Sequence, residues 1–366
     1  MASPALREMT SRERFLRLAL NEPTDRGLFW PDGAWLETLT RWLEEGMPSD
    51  HDFQFDFLED ESLGALGVNT GYFPPFEEEV IADEGSTQII RDQYGIVQRV
   101  KKGGTGMSQF IEFPVHDRAS WEEVKLRLDP SSPGRFPQDW PQRVEALRRV
   151  DYPITFDDGH LSGFFSFLRE LFGDSIYYRF YDDPDLVKEI LDFQVHRLTT
   201  FIRRITQEVQ IDRQLIWEDM CYKNGPLIGP DTFREFLLEP YRRTIEVSKS
   251  CGVRVFDVDS DGDINALIPL WLEVGVNMTH PCEVAAGVDV VETKRKFGDR
   301  IVLHGGIDKR KVAAGFDAID REMERIRPAY EMGGYVPHLD HEAPPDISWE
   351  NAQYYLDKRR RLVGRE

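Results

Sequence analysis

The stretch Val253-Arg254-Val255-Phe256-Asp257-Val258-Asp259-Ser260-Asp261-Gly262-Asp263 decides how the rest of the chain is read. It opens on a Cys251-Gly252 turn and continues as β-formers, Val253, Val255 and Phe256, so a strand is expected. It ends in acid. Asp257, Asp259, Asp261 and Asp263 fall on alternate residues, and in extended backbone alternate side chains share one face. A helix is expected next, from Ile264 through Glu273. One such aspartate is ordinarily a helix N-cap. Four in a row exceed what capping needs, and carboxylates massed after a strand and before a helix point to an active site on a parallel α/β scaffold.

The units on either side repeat the pattern. Strands are expected at Gly27–Trp30, Tyr152–Phe156, Leu215–Trp217, Val276–Met278, Arg300–His304 and Tyr335–Pro337, separated by amphipathic helices such as Asp185–Val209, Asp231–Ser250, Phe316–Glu331 and Trp349–Val363. Regular alternation of this kind predicts a single (β/α)8 barrel domain over residues 1–366. A doubly wound open sheet would need a glycine-rich phosphate turn after the first strand, and Leu28-Phe29-Trp30-Pro31-Asp32-Gly33 has none. Residues 46–118 break the helical period. Thr87–Asp92 and Gly95–Val100 alternate around a short turn, which predicts a β-hairpin and an N-terminal antiparallel β insertion over 46–118.

The totals exclude several classes. The chain has 366 residues, 40% of them hydrophobic, and a net charge of −21, which argues against nucleic-acid binding through a basic surface. Three separated cysteines, Cys221, Cys251 and Cys282, make no disulfide framework, and buried free thiols are expected. No run approaches the ~18 apolar residues of a membrane span. Met1–Leu20 is charged and lacks the apolar centre of a signal peptide, so a cytoplasmic location is expected. GxSxG, P-loop and HExxH motifs are all missing from the sequence.

Polar residues gather where the strands end. Asp157, Asp158 and His160 follow the second strand and Glu218 and Asp219 the third; His280 and Glu283 follow Met278, His304 follows Leu303, and His338, Asp340, His341 and Glu342 follow Val336. Five of the eight histidines stand at these points. Asp158, Asp263 and Asp308 are read as caps. Glu218, Asp259, Asp261 and His341 on one barrel mouth suit either a divalent metal with hard or borderline ligands or a set of general acids and bases.

Further motifs carry a resemblance. Gly333–Asn351, with His338-Leu339-Asp340-His341-Glu342-Ala343-Pro344-Pro345, resembles the closing motif of the uroporphyrinogen decarboxylase superfamily. His304-Gly305-Gly306-Ile307-Asp308, Pro281-Cys282-Glu283 and Glu218-Asp219-Met220 with Gly225–Pro230 are similar to its other segments. The resemblance implies a (β/α)8 barrel and one of two chemistries. The cofactor-free decarboxylases bind a tetrapyrrole through arginines of an N-terminal signature, whereas this chain reads Trp30-Pro31-Asp32-Gly33-Ala34-Trp35. The other branch comprises zinc-type methyltransferases that exchange a methyl group with a corrinoid. At the positions matching their His-x-Cys stands Asp259-Ser260-Asp261, with His341 near the last strand.

The resemblance therefore implies a metal-assisted methyltransferase. Asp259, Asp261 and His341 would hold a divalent metal, zinc being expected, and Glu218, His304 and His338 would be catalytic. Asp157, His160, Asp219 and Glu283 would bind substrate. The corrinoid would be a substrate or be carried by a partner corrinoid protein, and a homodimer is a further expectation. The alternative is a cofactor-free decarboxylase acting on a tetrapyrrole or a smaller carboxylic acid. A non-enzymatic corrinoid- or tetrapyrrole-binding protein would bind stoichiometrically without turnover.

Overall fold

The computed structural model describes residues 8–30, 32–49, 66–103 and 108–364; parts of the expected 46–118 region (50–65 and 104–107) lie outside them. Within that region β1 (Glu79–Asp83), β2 (Thr87–Arg91), β3 (Val97–Lys101) and β4 (Gln109–Glu112) form an antiparallel sheet in chain order. The expected hairpin is β2–β3, with Arg91 opposite Val97. Asp92 closes its turn by accepting from the amides of Tyr94 and Ile96, and Gly95 takes the positive φ of 82° that the turn requires.

Apart from a two-stranded ribbon, Cys221–Tyr222 with Gly225–Pro226, the remaining strands are β5 (Thr155–Phe156), β6 (Arg213–Trp217), β7 (Val255–Asp259), β8 (Met278–His280), β9 (Val302–Ile307) and β10 (Tyr335–Leu339). They build one parallel sheet in the spatial order β10-β9-β8-β7-β6-β5, each neighbour joined through a helix-bearing crossover. The expected first strand, 27–30, joins no ladder of this sheet among the described residues. Side chains tie it down instead: buried Arg359 donates to the Trp30 carbonyl, and Asp32, just beyond the segment, accepts from the Leu339 amide at 2.8 Å. A parallel bridge, Ala34 to Ala343, then attaches the segment beyond β10. The helix expected from Ile264 begins at Ile268, where Pro269 fits the first turn.

Alternation along the strands sorts side chains between two cores. Phe256 and Val258 belong to the large core under the helices. Val255, Met278, Val302 and Val336 come from four adjacent strands and meet Leu28, Trp30, Phe15 and Leu18 in a second, smaller core. The helix Ser11–Ala19 therefore seals the N-terminal end of the sheet's inner face. Two residues further along each strand the same face carries Asp257, His280, His304 and His338, and a further step on β7 brings Asp259. An apolar floor and a polar tier above it thus follow from a period of two.

Gly305 and Gly306 hold this tier in register. Both take positive φ (112° and 75°), and a Cβ at Gly305 would stand 1.8 Å from the Pro281 carbonyl oxygen. The backbone of β9 thereby passes close under the His280–Cys282 turn, which only glycine permits. Among the described residues no helix is long and apolar enough to cross a membrane.

Candidate functional site

Above the apolar floor lies a cavity of about 320 Å³, lined by Gly33, Trp217, Asp219, Asp259, Asp261, His280, Pro281, His304, His338, Leu339, His341 and Glu342. The structure brings together six of the expected site residues: Asp219, Asp259, Asp261, His304, His338 and His341. It adds His280, Glu342 and Trp217. Asp219 reaches the cavity from a backbone with φ of 40°, unusual for a residue other than glycine.

His280 is the best-supported imidazole of the site. Its Nδ1 lies 3.0 Å from Asp257 Oδ1, and Asp257 is fully buried and salt-bridged to Arg213. Its Nε2 faces Asp259 Oδ2 at 3.6 Å. Burial alone would push His280 down, but the charges of Asp257 and Asp259 outweigh it and hold the imidazole above its usual range. Burial raises Asp259, and neighbouring Asp261 and Asp257 raise it further, so Asp259 holds a proton more readily than an ordinary aspartate. At the rim His341 Nε2 faces Asp261 Oδ2 at 3.5 Å, an interaction that lifts its pKa, and Trp35 packs edge-on against its ring. His338 Nδ1 lies 2.9 Å from the Leu339 carbonyl and 3.2 Å from Asp32, which is anchored in turn by Arg359 and Tyr355.

His304 differs. Its ring contacts Trp30, His280 and His338, and both ring nitrogens are sealed from solvent without a hydrogen-bond partner among the described residues. Burial, then the nearby His338 and His280, push its pKa well below the normal imidazole value, so it stands neutral at pH 7.

Four of the expected site residues stand outside the cavity lining. Glu218 does not reach the cavity: its buried carboxylate accepts from the amides of Phe164, Phe165 and Ser166 at 2.8, 2.8 and 3.0 Å and from the Tyr241 hydroxyl. It caps the helix Phe165–Phe172 from a neighbouring strand end and is not a free base. Glu283 accepts from Gly262 N at 3.0 Å and ties two loops together. Asp157 is exposed and closes a turn on Gly159. His160 stacks on Trp217 at 4.3 Å and therefore backs the cavity wall without lining it. Of the expected caps, Asp308 caps its helix and Asp263 accepts from Asn265 N, whereas Asp158 forms a buried salt bridge with Arg197 at 2.6 Å.

The expected metal trio does not fit a metal as placed. His341 is engaged with Asp261 while Asp259 faces His280, and among the described residues no three His, Cys, Asp or Glu side chains converge as a ligand set. Cys221 and Cys282 are buried, and burial pushes both thiols up to about 12, far from a thiolate ligand. Sequence reasoning missed the Asp257–His280 pair and the anchoring of His338 by Asp32. The first had a signal, since Asp257 and His280 project on one face of neighbouring strands. The second had none, because Asp32 and His338 lie far apart in sequence.

These pairs set a pH dependence of stability. A folded-state pKa raised above the unfolded value, about 6.5 for histidine, gives stability that is full below that value and lost as pH rises through the folded pKa. His280 and His341 act in this sense. His304, depressed, acts oppositely and penalises folding below about pH 6.5. The melting temperature should therefore fall from pH 6.5 towards 9, and fall less steeply in His280→Gln. A wild-type curve that rises over this range would contradict the charged His280 pair.

Residues 174–362, just over half of the chain, match the sequence model of the family described as Uroporphyrinogen decarboxylase (URO-D). Among curated proteins, the uroporphyrinogen decarboxylase of Pseudomonas putida (strain GB-1) is 31% identical over 93 residues, 24% of this chain and 25% of that protein. That of Colwellia psychrerythraea (strain 34H / ATCC BAA-681) is 22% identical over 155 residues, 38% and 39% of the two chains. The alignments thus span well under half of these relatives' length. Among solved structures, a methyltransferase from Methanosarcina mazei superposes with a TM-score of 0.60 over 97% of this chain and 99% of its own, at 16% identity, a likeness of fold. With its family model matched over more than half its length, the chain belongs to the uroporphyrinogen decarboxylase (URO-D) family.

Proposed function

We propose that this URO-D family enzyme is a methyltransferase that exchanges a methyl group with a corrinoid carried by a partner protein, on a (β/α)8 barrel of which the six parallel strands are the described part. The antiparallel sheet within 46–118 is read as an insertion covering one end of that barrel. One observation carries the choice of chemistry: among the described residues no lysine or arginine lines the cavity, while Asp219, Asp259, Asp261 and Glu342 do. A polycarboxylate such as uroporphyrinogen would meet like charges there at a cost of several kcal/mol. The cavity is also at the small end of ligand sites, which run roughly 300–1,000 Å³. A macrocycle would be presented at its mouth.

The chain's own residues manage the proton. As the methyl group moves from donor to acceptor X–H, a C–X bond forms, the donor–methyl bond breaks, and the proton of X–H must leave. Asp259 takes it, and His280, fixed by Asp257, balances the charge beside it. The metal-assisted version is set aside, since the side chains do not converge as ligands. A second reading, decarboxylation of a smaller acid, is favoured by one feature: a charged His280 facing the cavity could deliver a proton to a carbanion.

Two assays on the purified chain separate these. Uroporphyrinogen products are followed by chromatography, and demethylation of methylcobalamin by its visible spectrum with amine, thiol and phenol acceptors. Expected are an unchanged porphyrinogen and loss of the methyl–cobalt band with at least one acceptor. Stepwise loss of carboxylates from uroporphyrinogen would overturn the proposal.

A further inference from the structure

Among the described residues lining the cavity, the carboxylates Asp219, Asp259, Asp261 and Glu342 outnumber the two raised imidazoles, His280 and His341. His341 is matched by Asp261, and His280 by Asp257, which already carries Arg213. Asp259 shares His280 at the longer distance of 3.6 Å, and Asp219 meets Arg169 at 3.9 Å. Glu342 is exposed at the rim. Burial raises the pKa of Asp219, and Asp261 and Asp259 raise it further, the mark of anions crowded on a shared space.

Two other features of the same cavity point to a ligand. His304 beside it is a neutral imidazole whose two ring nitrogens are buried without a hydrogen-bond partner among the described residues, which leaves one donor and one acceptor unmet. Trp217 forms part of the wall, and His160 stacked on it at 4.3 Å fixes the plane of the indole. Carboxylates held only by distant cations, an indole wall and an unpaired imidazole nitrogen suit an apolar cation with a single N–H donor. They suit neither an anion nor a hydrated metal ion.

We propose that the cavity binds a small methyl-bearing ammonium ion, its charge met by Asp259 and Asp219, its methyl groups against Trp217, and its N–H accepted by His304. The proposal names the substrate class for the methyl-transfer reading above and rests on it. A trialkylammonium methyl acceptor would lose its N–H proton to Asp259 before its freed nitrogen lone pair takes the methyl group, consistent with that proton path.

The test is calorimetric titration of the full chain with trimethylammonium and tetramethylammonium chlorides, with tert-butanol as the neutral isostere and sodium acetate as the anion. Trimethylammonium should bind saturably and at least ~10-fold tighter than tert-butanol, the scale of a desolvated cation–π contact plus a charge pair. Asp259→Asn and Trp217→Leu should each weaken it several-fold. His304→Gln should weaken trimethylammonium but spare tetramethylammonium, which has no N–H. If the variants fold poorly, the wild-type ranking of the four probes decides. Equal binding of tert-butanol, tighter binding of acetate, or no saturable binding of either cation overturns the proposal. Absence of cation binding together with methylcobalamin demethylation onto a neutral acceptor would sink this inference alone; turnover of uroporphyrinogen would sink the methyl-transfer reading with it.

Discussion

Replacing Glu218 by alanine is expected to lower the unfolding free energy by about 4–6 kcal/mol, seen as a drop in melting temperature of roughly 8–15 °C. The size follows from what the carboxylate holds. Three amides at the start of the helix Phe165–Phe172 and the Tyr241 hydroxyl all donate to it in a site without solvent access. Alanine would leave four buried donors unpaired, each worth on the order of 1–3 kcal/mol, with partial relief from water entering the space. The packing is too close for repair by a neighbour: a Cβ at Gly163 would already stand 2.8 Å from the Glu218 carboxyl carbon and 2.3 Å from the Trp217 carbonyl oxygen. Glu218→Gln should fall between, because its NH2 group would confront amide donors. Calorimetric unfolding of the three proteins checks the order. A Glu218→Ala protein that melts like wild type and has lost only turnover would restore the catalytic role first expected of this residue.

That outcome bears on what a sequence can and cannot reveal. The alternation Val255-Asp257-Asp259 tells which side chains share a face, and that was enough to place the mouth of the site at the ends of the strands. It does not tell which carboxylates turn inward to hold backbone. Glu218 and Asp219 are neighbours in sequence, yet one caps a helix and the other lines the cavity. Of the deciding partners of Glu218, Phe164–Ser166 come from the preceding crossover unit and Tyr241 from the helix of its own, 23 residues on. Asp32 is a stronger case. Its partners Leu339, Tyr355 and Arg359 lie more than 300 residues away, so nothing local marks it as the anchor of both the 27–34 segment and His338. The same remoteness explains the first expected strand: its β-forming residues are present, but an arginine and an aspartate replace the ladder.

His280 is where the largest loss of function is expected. In His280→Gln, kcat for methyl transfer should fall by about 10²–10⁴-fold, the usual contribution of a positioned acid–base group. Asp257→Asn should lose a similar amount while preserving the shape of the site. An asparagine can still accept from Arg213, but it cannot hold a positive charge on His280, and the imidazole would revert towards its ordinary pKa. Asp257 is thus a positioning residue, and its variant separates position from chemistry. The rate loss should lie in kcat with KM nearly constant, and the pH–rate profile should move to lower pH because the charged imidazole is lost earlier. A merely structural Asp257 would lower the melting temperature and leave the profile in place. His304→Gln gives the contrast. It removes a neutral ring whose nitrogens have no hydrogen-bond partner among the described residues, so KM should rise more than kcat falls if this side chain meets substrate in the ground state. If His280→Gln retained wild-type turnover at every pH, the Asp257–His280–Asp259 chain would be an ion-pair brace beneath the cavity, and the proton would have to leave by way of His341 and Asp261 at the rim.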